Sequence, residues 1–141
     1  MKTIKDYLLE SKINLSDVEK RIKERIDWYF NVVLKETHYP KFEIKEDDDK
    51  MPEGLKHWFI SFVRWMFDII PSEYYEFITK YYLRKQFVKS KVKLPKDDSI
   101  FNNLYNKWKV EIEEIFKKDT ERKEEDRKEC PEYYKNVKTI F

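Results

Sequence analysis

The chain has 141 residues, a mass of 17.7 kDa and 30 basic against 28 acidic residues, a single domain's length with a net charge of +2 that creates no global field toward nucleic acid or membrane. It holds no alanine, one glycine (Gly54), one glutamine (Gln86), one cysteine (Cys130) and 24 lysines against 6 arginines, while aromatics make up 17% and charged residues 41%. A P-loop, a dinucleotide fingerprint and a nucleophile elbow each need two or more glycines within a few residues, so all three are excluded, and the core must be built from large rings under a charged surface.

The N-terminus lacks the apolar run of a secretion signal, which with the lone cysteine predicts a cytoplasmic or virion setting. Thr3 has the character of a cap, and Ile4, Tyr7 and Leu8 follow at helical spacing, predicting a short N-terminal helix. Over residues 15–35 the apolar positions Leu15, Val18, Ile22, Ile26, Tyr29 and Val33 form one helical stripe, with Ser16 and Glu19 at capping-box spacing. Residues 41–45 alternate, as do residues 88–94, the first followed by an acidic run and the second carrying three lysines, so two short paired strands are compatible with the pattern.

A second helix is expected from Pro52 or Glu53 to Ile70, before Pro71. Its apolar residues cover most of the circumference, which marks a helix central to its own bundle or sealed by another subunit. At 16 residues with Lys56, His57, Arg64 and Asp68 inside it, the 55–70 stretch falls short of a membrane span of about 20 mostly apolar residues. A third helix begins near Ser72 with Tyr74, Phe77, Ile78, Tyr81, Tyr82 and Phe87, and a fourth begins at Asp97, Asp98 and Ser99 with Phe101, Leu104, Trp108, Ile112 and Ile115.

Residues 117–129 contain no apolar side chain but repeat opposite charges four apart, as in Lys117 with Glu121, Asp119 with Lys123 and Glu124 with Lys128. Such pairs extend a nucleated helix, predicting a charged extension that projects into solvent. After Cys130 and Pro131 the chain becomes apolar again at Tyr133, Tyr134, Val137, Ile140 and Phe141, a candidate arm for a neighbour or a closing segment of the same bundle. The organisation is thus a helical bundle domain over residues 1–116, a charged helical extension over 117–130 and an apolar arm over 131–141.

Chemistry is sparsely signalled. His38, His57 and Cys130 share no zinc spacing, the acidic run 46–49 lacks the glycine and closing glutamate of a calcium loop, and no nucleophile has an identifiable setting, so no metal, cofactor or catalytic residue is expected. Residues 77–96 carry Lys80, Arg84, Lys85, Lys89, Lys91, Lys93 and Lys96 without an acidic residue, interleaved with Tyr81, Tyr82 and Phe87. That pattern suits phosphate contact with base stacking, or a solvated basic face or an acidic partner surface.

The first 11 residues, Met-Lys-Thr-Ile-Lys-Asp-Tyr-Leu-Leu-Glu-Ser, together with a composition that fits a genome poor in G and C, resemble the openings of small proteins from AT-rich tailed bacteriophages. The resemblance implies a small helical connector or ring protein of the virion, or a small phage protein that binds and blocks a host defence factor. The residues themselves predict a mainly α bundle of about four principal helices acting without catalysis through protein contacts. Trp58, Trp65 and Phe67 on the second helix, with Tyr133, Tyr134, Ile140 and Phe141 in the arm, are the expected contacts with a second copy or another protein. Nucleic acid through the basic stretch is the alternative, and no membrane is involved.

Overall fold

The computed structural model describes residues 15–34, 42, 44–45, 47–89 and 99–134. It is mainly α, with four principal helices: α1 (Leu15–Trp28), α2 (Glu53–Met66), α3 (Tyr75–Lys89) and α4 (Ser99–Glu129), followed by a short terminal turn, α5 (Pro131–Tyr134). No strand occurs among the described residues. The paired strands suggested by the two alternating stretches are therefore not seen: Val88 and Lys89 complete α3, Phe42 and Ile44 pack on the core without regular structure, and residues 90–94 lie outside the described residues. The predicted N-terminal helix also lies outside them. Among the described residues no helix is long and apolar enough to cross a membrane.

Side-chain pairs fix how the helices run. Lys23 of α1 lies over the rings of Phe77 and Tyr81 while Asp27 meets Tyr81 and Lys85, so α1 and α3 are parallel. Phe87 meets Phe101 while Tyr75 stacks on Phe116 at 4.2 Å and 5°, so α3 and α4 are antiparallel. Lys56 pairs with Glu111 and Lys123 reaches Val63, making α2 and α4 parallel. Tyr29 packs on Phe62 and Arg25 donates to the Met66 carbonyl, making α1 and α2 antiparallel.

The core is aromatic, as the missing alanine requires. Phe59, Phe62 and Tyr82 meet pairwise at centroid distances of 4.7 to 6.2 Å, with Phe30 and Phe116 joining them in tilted or edge-on geometry. Thr79 and Gln86 of α3 are also buried in it; the Thr79 hydroxyl donates to the Tyr75 carbonyl. Gly54 has a local reason: a Cβ there would sit 2.7 Å from Cε1 of Phe42, so the ring of Phe42 closes directly on the α2 backbone.

Three local features depart from the sequence pattern. The first helix ends in a π turn, Tyr29–Val33, closed by the Leu34 amide donating to the Tyr29 carbonyl at 2.9 Å. The extra residue in that turn rotates the register, so Phe30 and Leu34 enter the core and Val33, expected on the apolar stripe, faces outward. Helix α2 stops at Met66 and not at Ile70, because Phe67 turns extended (φ −128°, ψ 147°) and drives its ring against Phe62.

The charged extension does not project into solvent. It continues α4 without a break to Glu129, and one of its faces docks on the end of α2. Asp119 and Lys123 are buried, at 9% and 5% exposure, as an ion pair of 2.9 Å. The Lys123 ammonium donates to the carbonyls of Phe67, Val63 and Asp68, and Arg127 pairs with the Asp68 carboxylate. The Phe67 amide closes the last turn of α2 on the Val63 carbonyl, and Lys123 adds a positive charge at that negative helix end and serves the Phe67 and Asp68 carbonyls just beyond it.

Candidate interaction surface

The carboxyl end of α2 is held by cations from two other helices. Arg25 of α1 donates to the Met66 carbonyl at 2.6 Å, and Lys123 of α4 serves the neighbouring carbonyls from the other side. Burial holds the Arg25 guanidinium below the usual arginine range. The end of α2 is thereby fixed in place, and Trp65, one residue before Met66, stands on a rigid support.

Trp65 is 82% exposed, the most exposed large apolar side chain described. At about 100° per residue, Trp58 and Trp65 share a stripe, as do Lys56, Ile60 and Arg64. The second stripe faces α4, where it lines a cleft of about 190 Å³ with Glu111 and Ile115. The tryptophan stripe therefore borders α1. On α1, Arg25 and Trp28 lie on the α2 side, as the Arg25 contact with Met66 shows, while Lys23 and Asp27 turn to α3; Val32 belongs to the π turn that follows, where the register differs. Trp28 is 52% exposed and Val32 is exposed as well.

Arg25 and Tyr29 of α1 meet α2 along an antiparallel seam, and helical register puts Trp28 on the α1 side of it and Trp58 and Trp65 on the α2 side. Trp58 is half-buried against the core. Phe67, expected beside the two tryptophans, is not part of this surface: at 3% exposure it belongs to the core. Tyr133 and Tyr134 close α5, but their side chains, like Ile140 and Phe141, lie outside what is described. Trp28 and Val32 are not among the contacts expected from the sequence, in which the core stripe of residues 15–35 runs through Leu15, Val18, Ile22, Ile26, Tyr29 and Val33. Their signal was present, since both lie off that stripe and are apolar.

The basic stretch is brought together only in part. Lys80 bonds Asn102 and pairs with Glu76 at 2.8 Å, Lys85 pairs with Asp27 at 2.8 Å, and Arg84 lies over the Phe101 ring. Lys89 ends α3, and Lys91, Lys93 and Lys96 lie outside the described residues. Phe77 and Tyr81, parallel to within 8°, floor a cleft of about 520 Å³ that Lys23, Lys80 and Arg84 share with Glu73 and Glu76. Burial pushes the Tyr81 hydroxyl up to about 12, helped by its 2.8 Å bond to Asp27. Acidic neighbours thus answer the cations on this face, where Lys80 and Lys85 are engaged in ion pairs.

Among the described residues no three histidine, cysteine or acidic side chains are grouped to hold a metal ion. Cys130 is an exposed free thiol. Comparison with protein-family models, with curated proteins and with solved structures finds no match to this chain.

Proposed function

We propose that this chain is a non-catalytic interaction or assembly protein that binds another protein, a second copy or a different chain, through the seam between α1 and α2. The observation that carries the reading is Trp65, 82% exposed on a helix end held by Arg25 and Lys123, beside the half-exposed Trp28. In a chain that otherwise packs most of its rings inward, two tryptophans held outward on rigid helices have the character of interface anchors, which are enriched in tryptophan and lose little entropy on binding. The apolar arm, residues 131–141, is a second contact in this proposal. In its specific form, favoured by the resemblance of the opening residues to phage proteins, the chain is a connector or ring component of a virion, or a small inhibitor of a host factor.

Light scattering over a wide concentration range tests the self-assembling form. The expected mass rises with concentration in the native chain and stays monomeric in Trp28→Ala/Trp65→Ala, whereas a concentration-independent monomer removes this form. The form with a different partner is tested by cross-linking in cells with the native chain and the double variant. A protein captured equally by both overturns the role of the seam.

Nucleic-acid binding through Lys80, Arg84, Lys85, Lys89, Lys91, Lys93 and Lys96 is the second reading, carried by the parallel Phe77 and Tyr81 rings beside cations. Phosphate contacts require affinity for random single-stranded DNA that falls steeply with salt. No binding at low salt removes it.

A further inference from the structure

We propose that the cleft along α3 is a binding site for a guanine nucleotide, with the base on the Phe77 and Tyr81 rings, its pairing edge at Glu73 and its phosphate at Lys80 and Arg84. The site is separate from the seam between α1 and α2, and it gives the basic half of α3 a smaller ligand than a strand of nucleic acid.

Shape argues first. The cleft holds about 520 Å³, inside the range of about 300 to 1,000 Å³ that small-molecule sites occupy. Phe77 and Tyr81 are half-buried, one helical turn apart, with rings parallel to within 8° and centroids 6.2 Å apart, so they present ring faces over more than the width of one ring. Phe101 of α4 also lines the cleft and carries the Arg84 guanidinium over its ring at 5.4 Å. From α1 comes Lys23, whose ammonium lies 5.8 Å from both the Phe77 and the Tyr81 centroids. Lys23 is exposed, and an exposed cation–π contact is weaker than a base stacked on the same rings. The base therefore displaces the ammonium, which is then free to turn to the phosphate.

Charge argues second. The cleft is polarised along α3, with Glu73 and Glu76 toward the amino end and Lys80 and Arg84 toward the carboxyl end. Glu76 is engaged with Lys80 at 2.8 Å, whereas Glu73 is exposed and has no hydrogen-bond or ion-pair partner among the described residues. An ionised carboxylate only accepts hydrogen bonds. Guanine alone of the common bases puts two adjacent donors on its pairing edge, N1–H and the N2 amino group, which one carboxylate accepts side by side. Adenine and cytosine set a ring-nitrogen acceptor beside a single amino donor, and uracil and thymine flank one N–H with two carbonyls. A carboxylate meets a repelling lone pair in each of them. Arg84 lies eight residues beyond Glu76, about 12 Å along the helix, which leaves room for a base and its sugar between the acid and the cations.

The test titrates the full chain with mononucleotides at low salt, read by calorimetry. Guanosine monophosphate is expected to bind about tenfold more tightly than the adenosine, cytidine or uridine monophosphates, a factor that one bidentate pair supplies. Inosine monophosphate, which keeps N1–H and lacks the amino group, falls between. Glu73→Gln, on the exposed rim, removes the preference for guanine and leaves adenosine monophosphate unchanged. Lys80→Gln and Arg84→Gln each weaken all the monophosphates alike and leave guanosine unchanged, so one poorly folded variant does not decide the matter. A thymidine oligonucleotide with one central guanine separates the two sources of the base. Affinity no better than that of the monophosphate assigns the site to the free nucleotide, and a gain that falls steeply with salt assigns it to a guanine within a strand; both keep the guanine site. Equal affinity for the guanosine and adenosine monophosphates, a preference that survives in Glu73→Gln, or no binding at millimolar concentration overturns the proposal. A pure thymidine oligonucleotide that binds where guanosine monophosphate does not keeps the nucleic-acid reading and removes this one, and the opposite result does the reverse.

Discussion

Replacing Lys123 with methionine takes the donor from the carbonyls at the end of α2 and leaves a carboxylate behind. The native ammonium is 5% exposed, pairs with Asp119 at 2.9 Å and donates to the carbonyls at the end of α2. Removing one member of a buried ion pair costs about 3 to 5 kcal/mol. Asp119 keeps a second partner in Arg122 at 3.2 Å, which places the loss at the low end, about 3 kcal/mol. For a domain of this size that corresponds to a fall in Tm of about 10 °C. Urea unfolding followed by circular dichroism measures it, with Lys117→Met and Lys128→Met on the exposed side of the same helix as controls expected within about 0.5 kcal/mol of the native chain. Replacing Asp119 by leucine together with Lys123→Met removes the stranded charge and recovers most of the loss. A cost for Lys123→Met below about 1 kcal/mol, or one equal to the controls, refutes this role of Lys123.

Gly54→Ala is expected to lose about 1 kcal/mol although alanine favours helix, because the new methyl meets the Phe42 ring; Phe42→Leu in the same chain relieves the clash and returns the denaturation midpoint. Trp65→Ala leaves stability within about 0.5 kcal/mol, whereas Phe67→Ala, one residue past the helix but inside the core, costs about 3 to 5 kcal/mol in the same urea assay. Burial pushes the Tyr29 and Tyr81 hydroxyls up to about 12, against about 10 in an unfolded chain. Below pH 10 both states keep these protons and their contribution is fully present. Between pH 10 and 12 the unfolded state releases them while the fold holds them, so stability falls through that window. Denaturation midpoints against pH show the fall, and Tyr29→Phe flattens it; an unchanged slope in that variant contradicts the assignment.

Helix positions were legible because period and punctuation agree: the stripe from Val18 to Tyr29, proline on either side of α2, and the serine at the start of α4 all mark real elements. What failed has one cause, namely that apolar spacing reports which side chains are buried and not how the backbone ends. Phe67, Ile69 and Ile70 continue the apolar pattern of α2, yet the backbone leaves the helix at Phe67 to bury that ring. Residues 117–129 read as solvated because they are all polar, but Lys123 is buried against carbonyls 55 to 60 residues away that no local window contains, and it holds Asp119 buried beside it. Of the surface, Trp58 and Trp65 were legible from a helix too apolar for a single buried face. Trp28 was not legible, because only the antiparallel pairing with α2 shows which side of α1 it lies on.

The junction at the end of α2 also imposes an order on the protein's synthesis. Arg25 precedes its carbonyl by 41 residues and Lys123 follows its own by 56, so the two cations that hold one helix end come from opposite ends of the chain. A nascent chain can form the α1 side of the junction as soon as α2 has emerged, but the α4 side waits for residues near the end. Until then the Phe67 bend has no donor for its carbonyl and Asp68 has no arginine. The final turns of α4 are therefore needed to complete the junction, and a chain stopped before Lys123 would leave the Phe67 carbonyl and the Asp68 carboxylate without these partners.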